Sequence, residues 1–211
     1  MCLLETSIET AAFFDRLRDD HPNDPRLDAH LGVTYDTCHF AVEFEEPKDA
    51  LDRFCRCGIR VSKIQISNAL ALTPTAAARK ALEAFTDQVY LHQVVSRGGD
   101  GSLTRFKDLP DALHGHEGPE DGRSTEWRVH YHIPLHCEPG GEFRSTAGHV
   151  HGVLRELAAR PELCRHLEME TYTWEVLPAP LKQQTVVEQL ASEYHWTLDR
   201  LKERGLAEAI A

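Results

Sequence analysis

Residues 31–39 read L-G-V-T-Y-D-T-C-H, an apolar run that ends in an aspartate with a histidine three positions on. Leu31, Val33 and Tyr35 suit a buried strand, Asp36 stands where strand gives way to loop, and Thr37-Cys38-His39 begins the turn. A carboxylate and an imidazole held together at a strand's carboxyl end are common components of a divalent-metal site. Two later segments carry the same kinds of group. In W-R-V-H-Y-H-I-P, residues 127–134, His130 and His132 lie two apart and so share a strand face. In H-L-E-M-E-T-Y-T-W, residues 166–174, Glu168 and Glu170 do likewise. A carboxylate in the core of a strand is costly unless it is paired or meets a cation.

Each of these groups also has an ordinary structural reading. A strand histidine can be a core or surface residue, Asp36 can cap a turn or helix, and His39 can sit in the following loop. Glu168 or Glu170 can form an outward salt bridge. Gln65, in K-I-Q-I-S-N, sits where a further strand offers a ligand or a substrate hydrogen bond. His92, in Y-L-H-Q-V-V, follows a strand-like run and is a candidate to line the site, whereas His114-Gly115-His116 reads as solvated loop. Helical spacing points His149 and His151 apart. Cys55-Arg56-Cys57 resembles half a metal knuckle, but no second pair follows at zinc-finger spacing. No glycine-rich phosphate loop, nucleophile elbow or dinucleotide fingerprint is present.

The elements that must position these residues alternate. Residues 5–20 have helical periodicity and His21–Pro25 breaks it; the strand at 31–36 follows. Pro47–Cys57 reads as a helix ended by Gly58, then Ile59–Ile66 as a strand. Thr73-Pro74 opens an alanine-rich helix to about Phe85, and Val89–Val95 is β-rich. Residues 96–125 are glycine-rich and charged, which suggests a long surface loop. Trp127–Leu135 is a further strand; a helix over Thr146–Ala159, a strand at about 165–171 and an amphipathic helix from Leu181 to Lys202 close the chain. Alternation of this kind predicts a parallel sheet of four strands with helices outside, in a single domain over residues 1–211. A complete eight-stranded barrel needs about 250 residues, so the expectation is part of one.

The formal charge of −11 argues against general affinity for nucleic acid, which normally needs a basic surface. No apolar run approaches the roughly 18 residues of a membrane span, and no secretory signal pattern opens the chain. A cytoplasmic location is expected, with the 6 cysteines reduced.

Y-D-T-C-H, K-I-Q-I-S-N-A, Y-L-H-Q-V, H-Y-H-I-P and E-T-Y-T-W, taken in this order, resemble the xylose-isomerase-like TIM barrels, a superfamily of sugar-phosphate isomerases, epimerases and endonuclease IV. Within it the chain is most similar to the metabolite-traffic EboE family. The resemblance covers nearly the whole chain and implies the C-terminal half of a (β/α) TIM barrel, because the strand that carries a glutamate ligand in that superfamily would lie before Met1. It implies a divalent metal, zinc or manganese, held by Asp36, His39, His130, His132 and Glu170, with Gln65 alongside. In the nuclease-type members a histidine falls at Gln65 and an aspartate at His130, so two ligand types are altered here.

The resemblance implies handling of a secondary metabolite during its export. The alternative is isomerase or epimerase chemistry on a sugar-like substrate, with Glu170 as the catalytic proton carrier. Endonuclease activity is the least supported reading given the charge. The expected partners are a small metabolite or sugar-like ligand, together with a second copy or another chain that supplies the missing strands. A half-ring alone is expected to be catalytically poor, because it orients substrate from one side only.

Overall fold

The computed structural model describes residues 4–87, 90–115, 124–170, 174–178, 182 and 184–207. Strands β1 (Val33–Asp36), β2 (Val61–Ile66) and β8 (Leu167–Met169) form a parallel sheet in the order β1-β2-β8. Tyr35, Ile64 and Ile66 point to its buried face. There they meet α1 (Ser7–Asp20), α4 (Pro47–Arg56) and α7 (Ala147–Ala159) in one core with Phe14, Phe54 and Leu154. Alternate residues on the other face are polar: Asp36, Gln65 and Glu168 lie in register across the three strands.

The helices start and stop as their terminal residues dictate. Thr6 and Glu9 form a reciprocal capping box at the start of α1. Pro47 occupies the first turn of α4, and Gly58 follows that helix at φ +62°, a left-handed conformation that suits glycine. The His21–Pro25 break is followed by a short helix of its own, α2 (Pro25–His30), capped by Asp24. The alanine-rich helix is α5 (Ala76–Leu82), with Thr75 rather than Thr73 as its cap.

The expected half-barrel is overturned. The second sheet is antiparallel, in the order β5-β4-β6-β3-β7, built from β3 (Asn68–Leu72), β4 (Val94–Gly98), β5 (Leu103–Phe106), β6 (Ser124–Ile133) and β7 (Phe143–Ser145). The strand around Trp127, expected to join the parallel sheet, pairs antiparallel with β3 and β4 instead. The described strands close no barrel. The cause is local. Parallel neighbours need a long crossover, yet only Ser67 separates β2 from β3, so the chain runs straight out of one sheet into the other.

The 96–125 stretch, expected as loop, supplies the β4–β5 hairpin, with Gly101 at φ +85° in its turn, and α6 (Leu109–His114). Leu70, Leu72, Trp127, Val129 and Tyr131 form the core of this sheet with Leu82 of α5 and Leu109 of α6. Short helix α3 (Thr37–Val42) sits where the two sheets meet, with Cys38 and Val42 packed on Ala69 and Val95. Helix α8 (Val186–Lys202) closes the described chain.

Candidate metal centre

Asp36 ends β1 and also caps α3, its Oδ1 accepting from the Cys38 amide at 2.9 Å. The same oxygen accepts from Ser67 Oγ at 2.6 Å. Thr37 and Ser67 lock the two segments together: Ser67 N donates to Thr37 Oγ1 and Thr37 Oγ1 donates to the Ser67 carbonyl, each at 2.8 Å. The strand-to-helix turn is thereby fixed against the β2–β3 junction.

Strand β6 crosses this turn. Its Trp127, Val129 and Tyr131 face the core, which sends His130 and His132 to the opposite face, toward Asp36 and Cys38. His130 Nε2 lies 4.0 Å from Asp36 Oδ2, and the His39 and His130 rings meet edge to face at 5.6 Å. Glu170 arrives just past β8, its amide donating to the Ile66 carbonyl at 3.2 Å. Two sets of donor atoms result, each within 4.8 Å of one another: Cys38, His130 and His132, and Asp36, His132 and Glu170. His132 belongs to both.

Burial sets the charge states. The His130 imidazole is pushed down to about 3 by burial and by the neighbouring His132, so it is neutral at pH 7 with a lone pair to give. Burial lowers His132 as well, against the pull of Asp36. For Asp36 burial works upward, but the surrounding imidazoles and the Ser67 hydrogen bond outweigh it and hold the carboxyl low. Burial and then the charge of Asp36 push Glu170 up to about 7, and burial raises the Cys38 thiol well above its usual range. A cation in this spot would favour the carboxylate and thiolate forms. The residues fit such an ion on a further count. His39 Nε2 and His130 Nε2 are buried and meet no hydrogen-bond partner among the described residues, a cost that ligation would remove.

The remaining candidates divide. Glu168, in register with Gln65, is tied to Lys63 at 2.8 Å, the outward ion pair open to either glutamate. Gln65 lies on the polar face in register with Asp36, and His39 stands next to the donor sets through its ring contact with His130. His92 is committed elsewhere, to Asp87 Oδ2 at 2.6 Å and the His130 carbonyl at 3.2 Å. His149 meets Tyr35 and His151 meets Trp196, pointing apart as their spacing predicts. His114 is exposed at the end of α6, while His116 and the 171–173 part of E-T-Y-T-W lie outside the described residues. Cys55 is exposed at the end of α4 and Cys57 caps it, both free.

Two participants carried no assigned role in the sequence reading, Cys38 and Ser67. Cys38 is the third letter of D-T-C-H and turns inward because α3 begins at Thr37. Ser67 had no signal in the sequence reading, because the strand that follows it, β3, was not expected.

No family model, curated protein or solved structure matches this chain. Among the described residues no helix is long and apolar enough to cross a membrane.

Proposed function

We propose that this chain holds a divalent metal ion, zinc in preference to manganese, and uses it to bind a small oxygen-bearing metabolite. The reading rests on one observation. Cys38 and Asp36 from the β1–α3 turn, His130 and His132 from β6, and Glu170 from the end of β8 form two overlapping donor groups that share the buried His132. Thiolate and imidazole donors suit zinc, and a carboxylate-only set would have suited magnesium or calcium. The ion would supply Lewis-acid polarisation of a ligand oxygen. Ser67 orients Asp36, and burial keeps His130 neutral and available. The ordered D-T-C-H, H-Y-H-I-P and L-E-M-E segments support a role like that of the EboE family, in metabolite handling.

Isomerase or epimerase chemistry is the second reading. It is favoured by the place of Glu170, a half-buried carboxyl whose oxygen lies within 4.8 Å of donor atoms of Asp36 and His132, where a group that takes and returns a proton is wanted.

Metal analysis of purified protein, stripped with chelator and reloaded with zinc or manganese, tests the first reading. The expected result is stoichiometric zinc in the wild type and its loss in a folded His130→Ala, His132→Ala variant. Equal metal content in the two overturns it. For the second reading, solvent deuterium should enter a sugar or polyol substrate in the wild type and not in Glu170→Gln; no exchange in either removes the isomerase.

A further inference from the structure

A cavity of about 360 Å³ beside α1 reaches one of the candidate ligands, Asp36, and the neighbouring His39. Asp36 and His39 form its polar floor, while Phe13 and Phe14 of α1, Phe40 of α3 and Phe54 of α4 supply aromatic wall. Phe14, Phe40 and Phe54 are core residues, so this wall is rigid rather than a loose surface patch. Thr10, Thr34 and Glu5 are the other polar or charged side chains that line it among the described residues.

The size and the lining narrow the ligand. At about 360 Å³ the cavity lies at the small end of the range for ligand pockets, about 300–1,000 Å³. A free sugar needs a polar partner for nearly every hydroxyl, which these phenylalanines do not offer. Nor does the lining include a lysine or arginine. Its fixed charges, Glu5 and Asp36, repel an anionic head group unless a cation stands between.

Resting on the metal reading above, we infer that the ligand is a small amphiphile: an oxygen-chelating head held at the metal and an apolar tail or ring against Phe13, Phe14 and Phe40. Ligand pockets commonly have this make-up, mostly apolar with a few convergent polar groups. Head and tail then make separate contributions that can be measured separately.

The test uses alkyl hydroxamates as probes, titrated calorimetrically into zinc-loaded and zinc-stripped protein. Octanohydroxamic acid is expected to bind the zinc-loaded chain about 100-fold tighter than acetohydroxamic acid, from the burial of its added methylenes. Stripping zinc should abolish binding of both. Phe13 is only half-buried, so Phe13→Gln should fold, retain zinc and bind acetohydroxamic acid as before, while losing about tenfold for the octanoyl probe. Equal affinity for the two probes in zinc-loaded protein overturns the amphiphile and leaves the metal reading standing. Failure to take up zinc overturns both. Octanohydroxamic acid that binds equally well without zinc, or octylamine that binds the stripped protein in its place, overturns the metal-held head.

Discussion

Ser67 Oγ donates to Asp36 Oδ1 at 2.6 Å while accepting from the Cys38 amide at 3.0 Å, so one hydroxyl positions two candidate ligands on a different element. Groups that orient a ligand in this way typically contribute 10–100-fold to metal affinity. Ser67→Ala is therefore expected to weaken zinc binding by about tenfold or more, read by competition with a chromogenic chelator. The Thr37–Ser67 backbone contact survives in that variant. A wild-type zinc affinity in Ser67→Ala would show that Asp36 needs no such support.

Acid sensitivity is expected through His149. Its ring is buried against Tyr35, 2.9 Å from the hydroxyl, and is pushed down to about 3 by burial and then by the charge of Arg128. The unfolded chain takes up this proton near pH 6.5 and the folded chain does not, so the contribution is complete above pH 6.5 and is lost as pH falls toward 3. Between pH 7.5 and 5 one such group removes about 2 kcal/mol. Glu170, raised to about 7, acts the other way: its contribution is present below pH 4.5 and is lost as pH rises through 7. Comparing urea midpoints of wild type and His149→Gln at both pH values isolates the histidine. The variant should show the flatter profile, and parallel profiles would contradict this assignment.

Glu43 is wholly buried, and Arg105 Nε and Nη2 both donate to its Oε2, at 2.8 and 2.6 Å. Burial pushes the Glu43 carboxyl up despite this partner. Arg105→Ala strands a charge and is expected to cost about 3 kcal/mol. Adding Glu43→Gln should recover much of that loss in urea titrations. A double variant no more stable than Arg105→Ala would mean that the cost is not electrostatic.

Two glycines of α7 should respond with opposite signs. A Cβ at Gly152 would fall 2.7 Å from Pro47 Cγ, at the crossing with α4, whereas one at Gly148 meets nothing within 4 Å. Helix propensity alone favours alanine by about 1 kcal/mol at either position. At Gly152 the overpacking of about 1–3 kcal/mol outweighs that gain, so Gly152→Ala should lower the thermal midpoint and Gly148→Ala should raise it. Midpoints that rise in both would show that α4 and α7 are not packed this closely.

The sequence by itself determined several of the local elements and the pattern of donors, but not β3 or the β4–β5 hairpin and α6 in the stretch expected as loop. Thr6 with Glu9, and Pro47 with Gly58, set helix ends through a cap and fixed φ values, which are short-range effects. Alternation in W-R-V-H-Y-H-I was enough to place His130 and His132 on one face. What joined the strands was not local. A strand's pattern says which side is buried but not which neighbour fills its hydrogen bonds, so β6 was expected in a parallel sheet and pairs antiparallel instead. Tertiary packing decided that β2 passes through Ser67 into β3 and that β3 and β4 flank β6. The same packing brought Cys38 to His130 and His132 and gave Glu168 to Lys63, because only the positions of neighbouring elements determine which polar side chains end within reach of one another.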